Sequence, residues 1–209
     1  MFPQESEARN LFALYMVGAN PFIPLFDPIA DTFDSLRRRS AFCLVTILYI
    51  ALCQTESDTV AGRNEESENK KKAAGQISRL LATESLFEIP ARIESVQAMI
   101  LLAAFSEKVW FAIGHALQMA LDLGLDESFD RITKEKSSSP AETYTLLQRT
   151  RTWLILYHIE REFAFGTSKK PRIANISISA LRKLYNMDIT TSSDIRYISI
   201  IELVQLRGM

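Results

Sequence analysis

An all-α fold is what this sequence predicts, and three observations carry the prediction. Apolar residues recur at helical spacing through most of the chain, no segment of alternating polarity competes, and seven Gly and seven Pro leave little material for a turn-rich β fold. With 209 residues, 47% of them hydrophobic and 10% aromatic, the chain can bury a sizeable core. It reads as a single helical domain over residues 1–209, either complete in itself or part of a longer protein, with no repeat of fixed period.

The elements follow in order. Glu5 to Met16 has a helical pattern, and the next stretch, ANPFIPLFDP, is an apolar connector whose three prolines exclude regular structure. Asp27 and Pro28 have the character of an N-cap and first helical position. The segment from Ile29 to Cys53 contains AFCLVTILYIALC. That 13-residue apolar run falls short of the roughly 20 residues that span a bilayer, although Arg37, Arg38 and Arg39 before it imitate a topogenic signal. A buried central helix is the expectation, and no membrane association. From Gln54 to Gln76 the chain is polar and without apolar periodicity, which reads as a long solvated loop.

Helical pattern returns from Ile77 to Phe87, is interrupted at Pro90, and runs again from Ile93 to Phe105, with a break near Ser106. The stretch WFAIGHALQMALDLGLDES then forms a helix closed after Leu123 by Gly124 in the left-handed conformation. ESFDRITKEKSSS is expected to be a second polar loop. Ser139, Pro140, Ala141 and Glu142 make a capping box that launches a helix to about Phe165, broken by GTSKKPR. Two amphipathic segments complete the chain, Ser179 to Met187 and Ser193 to Leu206, the second ended by Gly208.

Charge and cysteine usage exclude several function classes. Twenty-four Lys and Arg against 25 acidic residues leave a net charge of −1, which gives no bulk attraction to nucleic acid or anionic membrane. Cys43 and Cys53 lie in one apolar run and suit neither a disulfide framework nor a zinc site, which points to a reducing compartment; the start MFPQESEARN lacks the regions of a signal peptide. No GxGxxG, GxxxxGK[ST], HExxH or aspartate-rich run is present. His115 falls on a helix stripe with Phe111, Gln118 and Asp122, opposite an apolar stripe of Trp110, Ile113, Leu117, Ala120, Leu121 and Gly124. His158 is four residues from Glu162 and shares a row with Arg151, the arrangement of a helix-stabilising pair. Neither histidine has a nucleophile and an orienting group at a recognisable spacing, so no catalytic, cofactor-binding, metal-binding or DNA-binding residue is assigned, and no enzyme is expected.

Three blocks carry a family likeness: NPFIPLFDP, SVQAMILLAAF followed by GHALQMALDLGLDES, and RTRTWLILYHIEREFAFGTSKKPRI. Together they resemble the middle homology region, or fungal-specific transcription factor domain, of fungal zinc-binuclear-cluster regulators, from about Asn20 to Ile173. The matching positions are Met119, Ala120, Asp122, Leu123, Gly124 and Leu125 in one block, and Arg149, Arg151, Trp153 and Arg161 in another, with Glu160 where many members have Asp. Lys169 and Lys170 depart from the family's Gly-Arg. The tail DIRYISIIELVQLRG looks like members related to secreted-protease, weak-acid and branched-chain amino-acid regulators.

The resemblance implies a regulatory and interaction domain of a nuclear regulator of RNA polymerase II transcription, whose DNA contact belongs to a six-cysteine zinc cluster not found among these residues. Partners implied are proteins of the transcription machinery or a second copy, with room for a small-molecule effector and no cofactor. The alternative is a helical interaction scaffold without a DNA-linked role.

Overall fold

The computed structural model describes residues 2–57, 65–105, 109–134, 139–185, 187 and 190–207. Among them are ten α-helices and no strand: α1 Glu5–Gly18, α2 Phe33–Arg39, α3 Ala41–Ser57, α4 Glu65–Ser85, α5 Ile93–Ala104, α6 Val109–Asp122, α7 Leu125–Lys134, α8 Pro140–Gly166, α9 Ile178–Tyr185 and α10 Ser192–Arg207. The all-α expectation holds. The expected breaks near Ser106 and at Gly208 lie outside the described residues.

α3 organises the first half, with α1, α2, α4 and α5 packed on it; α8 organises the second, with α5, α6, α7 and α10 around it. α5 belongs to both. Every residue from Ser95 to Ala103 is buried, so this helix is apolar around its cylinder because it has neighbours around its cylinder. The AFCLVTILYIALC run is likewise a core helix, with Phe42, Cys43, Leu44, Ile47, Leu48, Ile50, Ala51 and Leu52 buried. No helix among the described residues is long and apolar enough to cross a membrane.

Three boundaries differ from the sequence expectation. Asp27 and Pro28 start a single turn, in which the Asp27 carboxylate accepts from the Ile29 N–H at 2.8 Å; the next helix begins at Phe33, capped by Thr32, whose hydroxyl accepts from the Ser35 N–H at 3.2 Å. The segment read as one piece from Ile29 to Cys53 is therefore divided. Ser40 makes the division: its N–H closes α2 on Leu36 O at 2.8 Å, while its hydroxyl accepts the Cys43 N–H at 3.1 Å and caps α3.

Neither long polar loop survives as drawn. Residues 54–57 extend α3 and residues 65–76 are the first three turns of α4, leaving only 58–64 of that loop outside the described residues. Charge pairing supplies what apolar periodicity does not: Lys70 pairs with Glu66 at 2.8 Å and Lys71 with Glu68 at 2.9 Å. Lys70 also reaches Glu7 of α1 at 3.0 Å. Gly75 allows the close crossing of α4 over α3, because a Cβ there would lie 2.8 Å from the Tyr49 ring. One turn later the Ser78 and Thr46 hydroxyls share a hydrogen bond of 2.7 Å.

The second polar loop contains α7. Leu125, Phe129 and Ile132 sit at i, i+4 and i+7 and are all buried, while Asp126 and Glu127 open the helix and Arg131 and Lys134 close it in the order its dipole favours. Only residues 135–138 of that stretch lie outside the described residues. The Ser139 cap is as expected: its hydroxyl accepts the Glu142 N–H at 3.2 Å with Pro140 at the first position. The Glu142 carboxylate turns instead to Arg131 at 2.9 Å.

Gly124 has φ +63°, as the helix-closing reading requires. An added Cβ would meet only the Glu127 carboxylate, at 3.4 Å, so the constraint on this residue is conformational rather than spatial. Gly124→Val is expected to lower stability by about 1 kcal/mol or more through positive-φ strain. His115, exposed on the same helix, is expected to tolerate Gln without measurable loss. Thermal melting of the two variants beside the parent checks both, and equal melting of the glycine variant and parent would overturn the capping role.

Candidate functional site

α8 carries the Arg- and Trp-rich block, and its Arg149, Arg151, Glu160 and Arg161 side chains reach out to other parts of the fold. Arg149 donates through Nε to Ser128 Oγ at 2.8 Å and through Nη2 to Leu123 O, and so satisfies a carbonyl left over where α6 ends. Arg151 grips Asp194 at the start of α10 with two bonds of 2.6 Å. Trp153 is buried at 6% exposure. Arg161 donates to Ile173 O at 3.2 Å and to Asn175 Oδ1, and lies over the Tyr157 ring at 5.1 Å. Glu160, at 0% exposure, accepts the Arg172 N–H at 2.7 Å. These last two residues fix the irregular return from α8 to α9 against its own helix.

The row containing Arg151, His158 and Glu162 is correctly placed on one face, but its members do not serve one another. All three reach α10: Arg151 to Asp194, His158 Nδ1 to the Tyr197 hydroxyl at 2.7 Å, and Glu162 to Arg207 at 3.2 Å. The expected His158–Glu162 pair is thus replaced by partners from another helix. Burial pushes the His158 imidazole below its ordinary value, with Glu162 opposing, and burial pushes the Tyr197 phenol far up.

A depressed histidine pKa has a definite sign. The unfolded chain takes up protons at His158 before the folded chain does, so stability from this site is full above the unfolded value of 6.5 and falls as pH drops below it. His158→Gln is expected to flatten that part of the stability curve. Urea midpoints of parent and variant at about pH 7.5 and about pH 5.5 check it, since the two pH values bracket an ordinary histidine.

The family-variant turn after α8 finds its own solution. Ser168, with φ +54°, takes the left-handed position, so neither Lys169 nor Lys170 needs to be glycine. Lys169 N donates to Ala164 O at 2.8 Å. The Lys169 ammonium and the Arg172 guanidinium then lie over the Trp110 ring at 4.4 and 4.1 Å, joining the turn to α6.

Two further blocks are built the same way. Asn20 is buried and bonds both ways to the Phe26 backbone, at 2.9 and 3.1 Å, which folds the proline connector on itself. Gln97 on α5 donates to Leu25 O at 3.2 Å and to the Thr152 hydroxyl on α8 at 3.4 Å. Sequence reasoning singled out neither role. A lone Asn beside a proline and a Gln in an apolar helix were the available signals.

The concave feature beside these clasps is a cleft of about 610 Å³ bounded by α6, α7, α8 and α9. Leu117, Phe129, Trp153 and Ile176 supply apolar surface, with Arg172 and Lys183 among the charged groups. Its size lies in the range of small-ligand sites. The expected apolar stripe of α6 is shifted, with Ile113, Ala116 and Ala120 fully buried while Leu121 is exposed toward this cleft.

His115 is exposed, and His158 Nδ1 bonds to the Tyr197 phenol. Among the described residues no group of three or more His, Cys, Asp or Glu side chains could hold a metal ion. Cys43 and Cys53, ten residues apart on α3, are separated by about 15 Å along the helix axis.

Comparison with known proteins gives these clasps a context. Residues 13–200 match the family model described as fungal specific transcription factor domain. The chain is also similar to Protein priB of Lentinula edodes, 27% identical over 173 residues that cover 79% of this chain and 26% of that protein. It thus spans about a quarter of the length of that relative. No solved structure matches. The family is one of transcription regulators rather than of enzymes. Of the side chains that carry the family likeness, Arg149, Arg151, Glu160 and Arg161 tie α8 to other parts of the fold, and the chain belongs to the fungal specific transcription factor domain family.

Proposed function

We propose that this chain is the regulatory and interaction body of a nuclear regulator of RNA polymerase II transcription, with no enzymatic activity of its own. The family match over residues 13–200 carries the reading. The arrangement of the family's motif residues supports it, because Arg151, Glu160 and Arg161 each tie α8 to another part of the fold. DNA contact on this reading comes from a zinc cluster outside these residues, in keeping with a net charge of −1. Proteins of the transcription machinery, or a second copy, are the partners, and the 610 Å³ cleft is where a small effector would act.

The test is a fusion of the 209-residue chain to a heterologous DNA-binding domain with a reporter gene. Activation or repression that changes with nutrient condition, and that is lost with Trp153→Ala, is expected. A reporter indifferent to the fusion in every condition, with the fusion protein folded and nuclear, would overturn the transcriptional role and leave the helical scaffold.

A further inference from the structure

The run RRRS, Arg37 to Ser40, belongs to neither the α8 clasps nor the large cleft. Ser40 is part-exposed in extended backbone, φ −156° and ψ 108°, at the joint between α2 and α3. It opens on a second cleft of about 380 Å³ that Arg39, Glu84, Glu88 and Arg92 also line. Arg37 and Arg38 precede it by three and two residues, and both are exposed. Arg37 holds one exposed ion pair, to Glu5 at 3.0 Å, while Arg38 makes no hydrogen bond or ion pair among the described residues. A hydroxyl on an open cleft thus follows two guanidinium groups that are available to a visiting enzyme. Guanidinium groups at such fixed offsets are read by carboxylates in the substrate groove of basophilic protein kinases, through bidentate charge-assisted bonds.

We propose that Ser40 is a phosphorylation site for a basophilic serine/threonine kinase. In the step, Ser40 Oγ attacks the γ-phosphorus of a nucleoside triphosphate, the bond from that phosphorus to the β–γ bridging oxygen breaks, and the hydroxyl proton passes to the kinase's base as the diphosphate leaves. The product brings about −1.5 to −2 charge to a cleft whose lining cations, Arg39 and Arg92, are already matched. Arg39 holds Asp31 and also Glu94 at 3.2 Å, and Arg92 holds Glu88 at 2.8 Å. The phosphate competes with these carboxylates for Arg39 and Arg92. Asp31, buried in the connector, loses its cation when Arg39 turns away. Phosphorylation therefore loosens the connector between α1 and α2. The assignment rests on the chemistry of this joint and stands apart from the transcriptional reading.

The folded 209-residue chain, incubated with Mg²⁺·ATP and the catalytic subunit of a basophilic kinase, is expected to gain one phosphate that peptide mapping places on Ser40. Ser40→Thr, which keeps both hydroxyl and cap, should still be labelled. Arg38→Ala should melt as the parent does yet be labelled at least about tenfold more slowly, the factor lost with one charge-assisted contact. Hydrogen exchange of residues 20–33 should quicken after labelling. Ser40 left unmodified in the folded chain would overturn the proposal, as would labelling whose rate ignores Arg38→Ala.

Discussion

Arg151→Ala is expected to remove about 3–5 kcal/mol of stability, the cost of leaving one member of a buried ion pair without its partner. Asp194 is 8% exposed, and among the described residues its carboxylate also accepts from Thr191, whose N–H and hydroxyl each lie at 2.8 Å. Those two dipoles do not replace a guanidinium that meets both carboxylate oxygens. Arg151→Lys should recover little, because an ammonium cannot make the paired contact. Replacing the pair together, Arg151→Met with Asp194→Leu, should come close to the parent, since no charge is then stranded. Urea denaturation of the four proteins tests this. A loss below about 1 kcal/mol in Arg151→Ala would mean that the pair behaves like a surface salt bridge.

Trp153→Ala is expected to cost about 3–5 kcal/mol, the usual loss for emptying a buried aromatic site. Its indole lies between the α8 core and the 610 Å³ cleft, so truncation would both open a cavity and join that cavity to solvent. Trp153→Phe should lose less, because most of the apolar volume stays. Calorimetric unfolding of both variants decides the matter; a Trp153→Ala protein melting within a few degrees of the parent would show that the site collapses.

Those two residues also show how far the sequence could be read. α8 was legible end to end because Ser139, Pro140 and Glu142 announce its start and a mixed polar turn its finish. α5 and α6 were legible from apolar spacing, and Gly124 from its place after Leu123. The start of α4 was hidden because its helix is held by ion pairs and by small residues crossing α3, neither of which produces an apolar stripe. α7 was hidden for the opposite reason, since three buried residues are thinly spaced among charges. The α8 row was read with local rules, and local rules pair His158 with Glu162. Its true partners are 39 to 45 residues away, and no spacing within one helix discloses them. The clasp residues emerged through likeness to a family, whereas their purpose emerged only from the fold.

α5 gives the two halves of the domain a mechanical relation. α3 and α8 each pack on it, and the nine residues from Ser95 to Ala103 have no face left to solvent. A close-packed rod of this kind does not absorb a displacement by yielding; it passes the displacement on. The helix that borders the cleft, α8, and the helix that Ser40 caps, α3, therefore share one rigid packing partner in α5.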